Sequence, residues 1–209
     1  IGGGGREHAM ADAAARSSRA GRIYCAPGNA GTEQAAENVA LDVMDFDALI
    51  AFARERQVDL TLVGPEAPLC AGIVDRFQKA GLRIFGPTKS AAKIEGDKAY
   101  AKSLMRSADI PTAEARVFTE FADARAYLLT RDEGLVVKAS GLAAGKGVIV
   151  CDTPAQAVFA CEKLMVERPF GDAGRTVVVE ERLKGEELSV LALVSGRAIC
   201  MLESAQDHK

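Results

Sequence analysis

Tryptophan is absent from the 209 residues, aromatic residues make up 5%, and histidine occurs twice. A core without large rings must be packed from Ala, Val, Leu and Ile. Five cysteines are present, Cys25, Cys70, Cys151, Cys161 and Cys200, and none forms a Cys-x-x-Cys pair. With so little histidine, that spacing argues against a zinc site, and the odd number argues against a disulfide framework. Buried or incidental thiols in a reducing compartment are expected. No apolar run is long enough to span a bilayer, and no stretch reads as a signal peptide. The formal net charge is −3, with acidic and basic residues interspersed. That pattern offers neither a nucleic-acid face nor a membrane-binding stripe. The composition therefore points to a cytoplasmic globular protein of one or two domains acting on small molecules, with no nucleic-acid or membrane partner.

What is present begins with residues 135–151, Leu-Val-Val-Lys-Ala-Ser-Gly-Leu-Ala-Ala-Gly-Lys-Gly-Val-Ile-Val-Cys. Two β-branched runs flank a turn holding Gly141, Gly145 and Gly147, which predicts a hairpin with an enlarged loop. Lys138 ends the first run and Lys146 lies within the turn. Glycines let backbone N–H groups approach an anion, and two ammonium groups add full charge, so the stretch suits a polyphosphate clamp. The same glycines also suit an unliganded hairpin turn. It is not a P-loop, because Ser140 holds the first glycine position and Gly147 replaces the hydroxyl residue.

In chain order, residues 2–8 are a glycine-rich turn, Gly2-Gly-Gly-Gly-Arg-Glu-His8, opening an alanine-rich helix to about residue 20. A dinucleotide fingerprint fails here because Glu7 takes the last glycine position. Strands are predicted at residues 22–26, 39–43, 59–63 (buried) and 83–85, with helices at 45–56 and 69–80. Alternating strands and helices argue for a parallel sheet covered on both faces, with ligands at the strand exits. Gly3–Glu7, Asn29 and Glu66 fall at those exits. Beyond residue 87 helices are expected at 90–95, 97–107, 121–130 and 154–167, with strands at 116–118, 176–179, 187–194 and 198–202. This half reads as α+β and largely antiparallel, with a domain boundary near residues 87–100. Ile1 before Gly2 reads as the end of a strand, and the polar stretch 203–209 shows no stop signal, so a segment of a longer protein is expected.

Lys98, the Lys138–Gly147 hairpin, Val177-Val-Val-Glu-Glu-Arg-Leu183 and Gly185-Glu-Glu187 resemble the ATP-grasp ligases in type and order. Pro27-Gly-Asn29, Gly64-Pro-Glu66, Gly86-Pro87, Glu95-Gly-Asp-Lys98, Phe170-Gly-Asp-Ala-Gly174, Gln206-Asp-His-Lys209 and the first turn extend the resemblance over the whole chain. They narrow it to the branch that joins glycine to 5-phosphoribosylamine in purine synthesis. The resemblance implies a Rossmann-like substrate-binding domain at 1–90 and an incomplete ATP-grasp domain at 91–209, with a phosphate-clamp subdomain at about 112–186.

It also implies roles. Lys98 and Lys138 hold the ATP phosphates, and the loop bearing Gly141, Gly145, Lys146 and Gly147 closes over them. Glu180, Glu181 and Leu183 form the hinge that meets adenine, and Glu187 accepts from the ribose hydroxyls. Gly3, Gly4, Gly5, Arg6, Glu7, Asn29 and Glu66 face phosphoribosylamine, with Asp207 and Lys209 near the reacting groups. Lys138, Lys146 and Asp207 are the implied catalytic residues. Mg²⁺ or Mn²⁺ is implied as a cofactor beside ATP, with its ligands beyond residue 209 and none within the chain. A molecule ending at Lys209 is then expected to show little ligase activity. The alternatives are another ATP-grasp carboxylate–amine ligase and an inactive nucleotide-binding fragment.

Overall fold

The computed structural model describes residues 1–143 and 145–206. The first part alternates helices and short strands: α1 (Gly5–Ala15), β1 (Tyr24–Cys25), β2 (Glu37–Asn38), α2 (Phe46–Glu55), β3 (Thr61–Leu62), α3 (Glu66–Ala71), α4 (Ile73–Lys79) and β4 (Ile84–Phe85). β1 pairs with β2 and β3 with β4, both in parallel. Residues 1 and 2 join the two pairs. The Ile1 amine donates to Leu62 O at 2.7 Å, and Gly64 N donates to Ile1 O at 3.1 Å. On the other side Gly2 N donates to Ala26 O, and Gly28 N to Gly2 O, at 2.6 and 3.2 Å. The helices pack on this sheet through Leu49, Ile50 and Ala53 of α2 and Ile73, Val74 and Phe77 of α4, which form one buried cluster. The spacing of those six residues follows the helical period. Asp45 caps α2 by accepting from Ala48 N at 3.0 Å.

Several expectations change here. The alanine-rich helix stops at Ala15, and residues 16–20 form turns. No strand forms at 39–43; the pairing with β1 is made two residues earlier, at Glu37–Asn38. The predicted helix at 69–80 starts at Glu66 and breaks at Gly72, whose φ of +99° ends α3 and begins α4. The run at 59–63 is only half-buried, and Leu60 is 54% exposed. Its side lies open on a cavity of about 910 Å³ whose lining includes Tyr24, Leu49, Phe52, Leu62 and Phe77.

The second part follows: α5 (Lys89–Gly96), α6 (Lys98–Ser107), β5 (Ala115–Phe118), α7 (Phe121–Leu128), β6 (Leu135–Ala139), β7 (Val148–Cys151), α8 (Pro154–Glu162), β8 (Val177–Glu181), β9 (Ala192–Ser195) and β10 (Ala198–Met201). A π turn at Lys163–Glu167 takes the place of the last helical turns expected after α8. Four strands make an antiparallel sheet in the order β5-β8-β6-β7. Leu135, Val137 and Ala139 of β6 and Val177 and Val179 of β8 bury one face against α7 and α8. The alternate residues Val136, Lys138, Val178 and Glu180 necessarily point to the opposite face. β9 and β10 form a separate antiparallel hairpin whose residues are all exposed. The two core clusters are built mainly from aliphatic side chains, with Phe77 the largest fully buried one.

All five cysteines are free thiols. Burial pushes the Cys161 thiol up to about 12, with neighbouring Cys151 adding to it. Burial also raises Cys151, and Asp152 contributes. A thiol reacts as its thiolate. Iodoacetamide at neutral pH should therefore label exposed Cys200 first and reach Cys151 and Cys161 only with denaturant. Peptide mass spectrometry checks this, and equal labelling in native buffer would contradict the packing described.

Candidate functional site

Two clusters gather most of the residues singled out above. The first lies at the strand exits of the parallel part. Asn29 Nδ2 donates to Gly3 O at 3.0 Å and to Gly4 O at 3.4 Å, while its Oδ1 accepts from Gly31 N and Thr32 N. Arg6 Nη1 donates to Gly64 O at 2.7 Å and to Glu66 Oε1 at 3.0 Å. The three exits are thus tied into one surface, with Gly3, Gly4, Gly5 and Arg6 exposed upon it. Glu7 behaves differently. Its carboxylate is buried and accepts from Gly4 N at 2.6 Å. A Cβ on Gly64 would lie 1.8 Å from Glu7 Oε1, and one on Gly2 would lie 2.5 Å from Glu7 Cγ. Those glycines make room for Glu7, which braces the turn from inside.

The second cluster sits between α6 and the face of the antiparallel sheet that α7 and α8 leave uncovered. Lys98 is the first residue of α6, and Asp97 caps that helix by accepting from Tyr100 N at 3.1 Å. Ser140 stitches the helix to the clamp strand. Its hydroxyl accepts from Ala99 N at 2.9 Å and donates to Asp97 Oδ1 at 2.7 Å, and its carbonyl accepts from Lys98 N. Lys98 Nζ donates to Gly141 O at 3.2 Å. Burial holds the Lys98 ammonium below its ordinary value; Lys138 adds to the effect, and Glu95, Glu180 and Asp97 oppose it. Lys138 Nζ donates to Glu180 Oε2 at 2.8 Å, and Glu180 Oε1 lies 3.4 Å from Lys102 Nζ. The Glu180 side chain is 7% exposed, against 27% for Lys138 and 9% for Lys102. Lys102 and Lys138 therefore share one buried carboxylate, and Lys98 lies close enough to be influenced by Glu180 and Lys138.

The turn beyond β6 has local reasons for its glycines. A Cβ on Gly141 would meet Ala173 Cα at 2.7 Å, and one on Gly147 would meet Ala143 Cβ at 2.6 Å. Gly145 has φ +76°, a left-handed conformation that favours glycine. Lys146 is exposed, and its N–H donates to Ala143 O at 2.9 Å. Glu181 faces outward, its Oε1 accepting from Glu114 N at 2.7 Å. Leu183 and Glu187 are exposed. Asp207 and Lys209 lie outside the described residues. Among the described residues no three His, Cys, Asp or Glu side chains are placed to hold a metal ion.

Sequence reasoning missed Lys102, Ser140 and Asp97. One signal for Lys102 was available. It stands four residues after Lys98, so both share one face of α6, and like charges at that spacing repel unless an anion lies beneath.

The antiparallel sheet, its glycine-bearing hairpin and the lysines on its uncovered face define an ATP-grasp domain set behind a parallel α/β unit. A family model described as phosphoribosylglycinamide synthetase, N domain, matches residues 1–95, and one described as phosphoribosylglycinamide synthetase, ATP-grasp (A) domain, matches residues 96–209. The chain belongs to the phosphoribosylglycinamide synthetase family. It is 51% identical over 209 residues to the phosphoribosylamine–glycine ligase of Halalkalibacterium halodurans, covering all of this chain and 49% of that protein. The ligase of Escherichia coli K12 is 50% identical over 211 residues, with the same shares covered. The crystal structure of the Thermotoga maritima ligase superposes with a TM-score of 0.76 at 29% identity, covering 97% of this chain and 48% of that one. The chain thus spans about half the length of the relatives it matches.

Two outcomes follow from the first cluster. Gly64→Ala should cost about 1–3 kcal/mol by overpacking against Glu7. Adding Glu7→Ala should make the pair markedly less than additive in urea melts. Separately, the hydrogen bond from its own backbone N–H and the Arg6 guanidinium hold the Glu66 carboxyl below its ordinary value of 4.5. A depressed carboxyl stabilises the fold above 4.5, and that contribution disappears as pH falls through the depressed value. Glu66→Gln should therefore flatten the acid limb of stability slightly, the pair being half-exposed and screened by salt. An unchanged or steeper limb in low-salt thermal melts would contradict it.

Proposed function

We propose that this chain supplies the aminosugar-facing unit and the triphosphate grip of a ligase joining glycine to 5-phosphoribosylamine. ATP would phosphorylate the glycine carboxylate, and the sugar amine would displace phosphate from the resulting acyl phosphate. The products are glycinamide ribonucleotide, ADP and phosphate. The observation that carries the reading is the arrangement of Lys98 and Lys138. Each ammonium has three donors. Among the described residues, Lys98 spends one on Gly141 O and Lys138 one on Glu180. The remaining donors suit the oxygens of a polyphosphate, where transfer depends chiefly on positioning and charge neutralisation. The names carried by the relatives support the choice of glycine and phosphoribosylamine.

In this reading Lys146 carries a third cation on the turn, and closing the turn would keep water from the acyl phosphate. Glu180, Glu181 and Leu183 border the adenine, Glu187 the ribose, and Asp207 the reacting amine. Gly3, Gly4, Gly5, Arg6, Asn29 and Glu66 face the aminosugar, with the Arg6 guanidinium the group suited to its phosphate. Glu7 would serve by bracing that surface rather than by touching it. We place the division between the two units near residue 90, with the phosphate-clamp subdomain at about 112–186. A divalent cation, Mg²⁺ or Mn²⁺, belongs to the chemistry, but the described residues do not assemble its ligands, and no step above depends on one. The setting for such a reaction is the cytoplasm.

The test is nucleotide uptake by isothermal titration calorimetry. The wild-type chain should bind ATP with Mg²⁺ present, and Lys138→Met should weaken binding at least tenfold, about 1.4 kcal/mol. Equal binding by both proteins would overturn the assignment of Lys138. Absence of binding by the folded wild type would overturn the site.

A further inference from the structure

The nucleotide reading makes no use of Lys102, although it is the most enclosed cation of the cluster. It lies one helical turn after Lys98 on α6, and its residue surface is 8% exposed. Its Nζ donates to Thr112 Oγ1 at 2.8 Å and to Ala113 O at 2.9 Å, and it forms the 3.4 Å ion pair with Glu180 Oε1. Two acceptors take two of its donors and the ion pair engages its charge, so this ammonium is committed to the protein on several sides. Lys138 differs on each count: it is more exposed and, among the described residues, holds only Glu180 Oε2. The two oxygens of Glu180 are thus divided between an enclosed cation with two further acceptors and a more exposed one.

We infer that Lys102 is a positioning residue that acts as the permanent counter-ion of Glu180, so that Lys138 can leave that carboxylate for an incoming phosphate. The physical reason is the cost of an unpaired buried carboxylate. With Lys102 present, Glu180 keeps a partner at 3.4 Å when Lys138 swings away. With Lys102 removed, Glu180 would be stranded by the same movement, so Lys138 would be held in place. Lys102 would therefore tune the affinity of the site without touching the ligand. The inference rests on the nucleotide reading for the identity of the phosphate, but not for the behaviour of Lys138.

That independence sets the experiment. Brief acetylation with acetic anhydride at fixed pH, followed by peptide mass spectrometry, reads how often the Lys138 amine is free of its carboxylate. Lys102→Met should slow Lys138 labelling at least threefold relative to wild type. Lys102→Met combined with Glu180→Gln should return it to within about twofold of wild type, because no charge remains to retain Lys138. A role for Lys102 confined to tethering residues 112 and 113 predicts no such rescue. If circular dichroism shows that Lys102→Met fails to fold, Lys102→Gln replaces it in both arms, since its amide can still donate to Thr112 and Ala113 while lacking the charge. Unchanged labelling in the single variant, or labelling equally slowed in the double variant, overturns the inference. A parallel arm adds ATP and Mg²⁺ to wild type. Failure of ATP to alter Lys138 labelling would count against the nucleotide reading, while the Lys102 comparison would still decide the counter-ion role.

Discussion

The buried carboxylate of Glu180 is the constraint on which the second half of the molecule turns. A charge taken out of water costs several kcal/mol unless it is paired, and here the pairing comes from two elements. Lys138 reaches it along the sheet and Lys102 reaches it from α6. The helix is therefore seated on the sheet by charge as well as by packing. That seating fixes where α6 begins, and so places Lys98 over the start of the glycine turn. Ser140 makes the same connection a second time, through Ala99 N and Asp97. The outcome is a floor on which Lys98, Lys102 and Lys138 are gathered at the start of the turn.

The two glycine-rich stretches resemble each other in sequence and differ in cause. At the first turn, Gly2 and Gly64 close on Glu7, a side chain from the same surface. There the glycines make room for an internal carboxylate. At the clamp, Gly141 and Gly147 close on alanines, and only Gly145 needs its left-handed conformation. Neither set of glycines argues for a ligand on its own account. The cations beside the clamp do, because burial lowers the Lys98 ammonium and, among the described residues, Gly141 O is its one hydrogen-bond acceptor.

Much of this organisation was legible in the residues. The hairpin at residues 135–151 could be read because β-branched runs flank glycine, and the helix at 46–55 because Leu49, Ile50 and Ala53 recur at the helical period. The failures share a cause: a local pattern was settled by a distant partner. Residues 39–43 look like a strand, but β1 is only two residues long and pairs with Glu37 and Asn38. Glu180 stands near a strand end with no local mark of burial, yet Lys102 and Lys138 pair with it inside. Lys102 itself carries no mark beyond its spacing from Lys98. Its importance depends on a strand nearly eighty positions away, which no window of sequence displays.

The way the turn is held also explains how its cations divide. Gly141 N donates to Ala173 O at 3.1 Å, and Ala139 N donates to Gly147 O at 2.8 Å, so both ends of the turn are pinned to backbone. Lys138 lies below one pin, within the four-stranded sheet, and Lys98 is tied to Gly141 at that same pin. Lys146 lies between the pins, exposed. The sheet and this tie therefore hold the backbones that carry Lys98 and Lys138 in a fixed relation, whatever the turn does. A change in the distance between the Lys146 and Lys138 backbones must then arise within the turn, where Gly145 supplies the conformational freedom. The fixed pair would set where a polyphosphate lies, and the third cation would determine how closely it is covered.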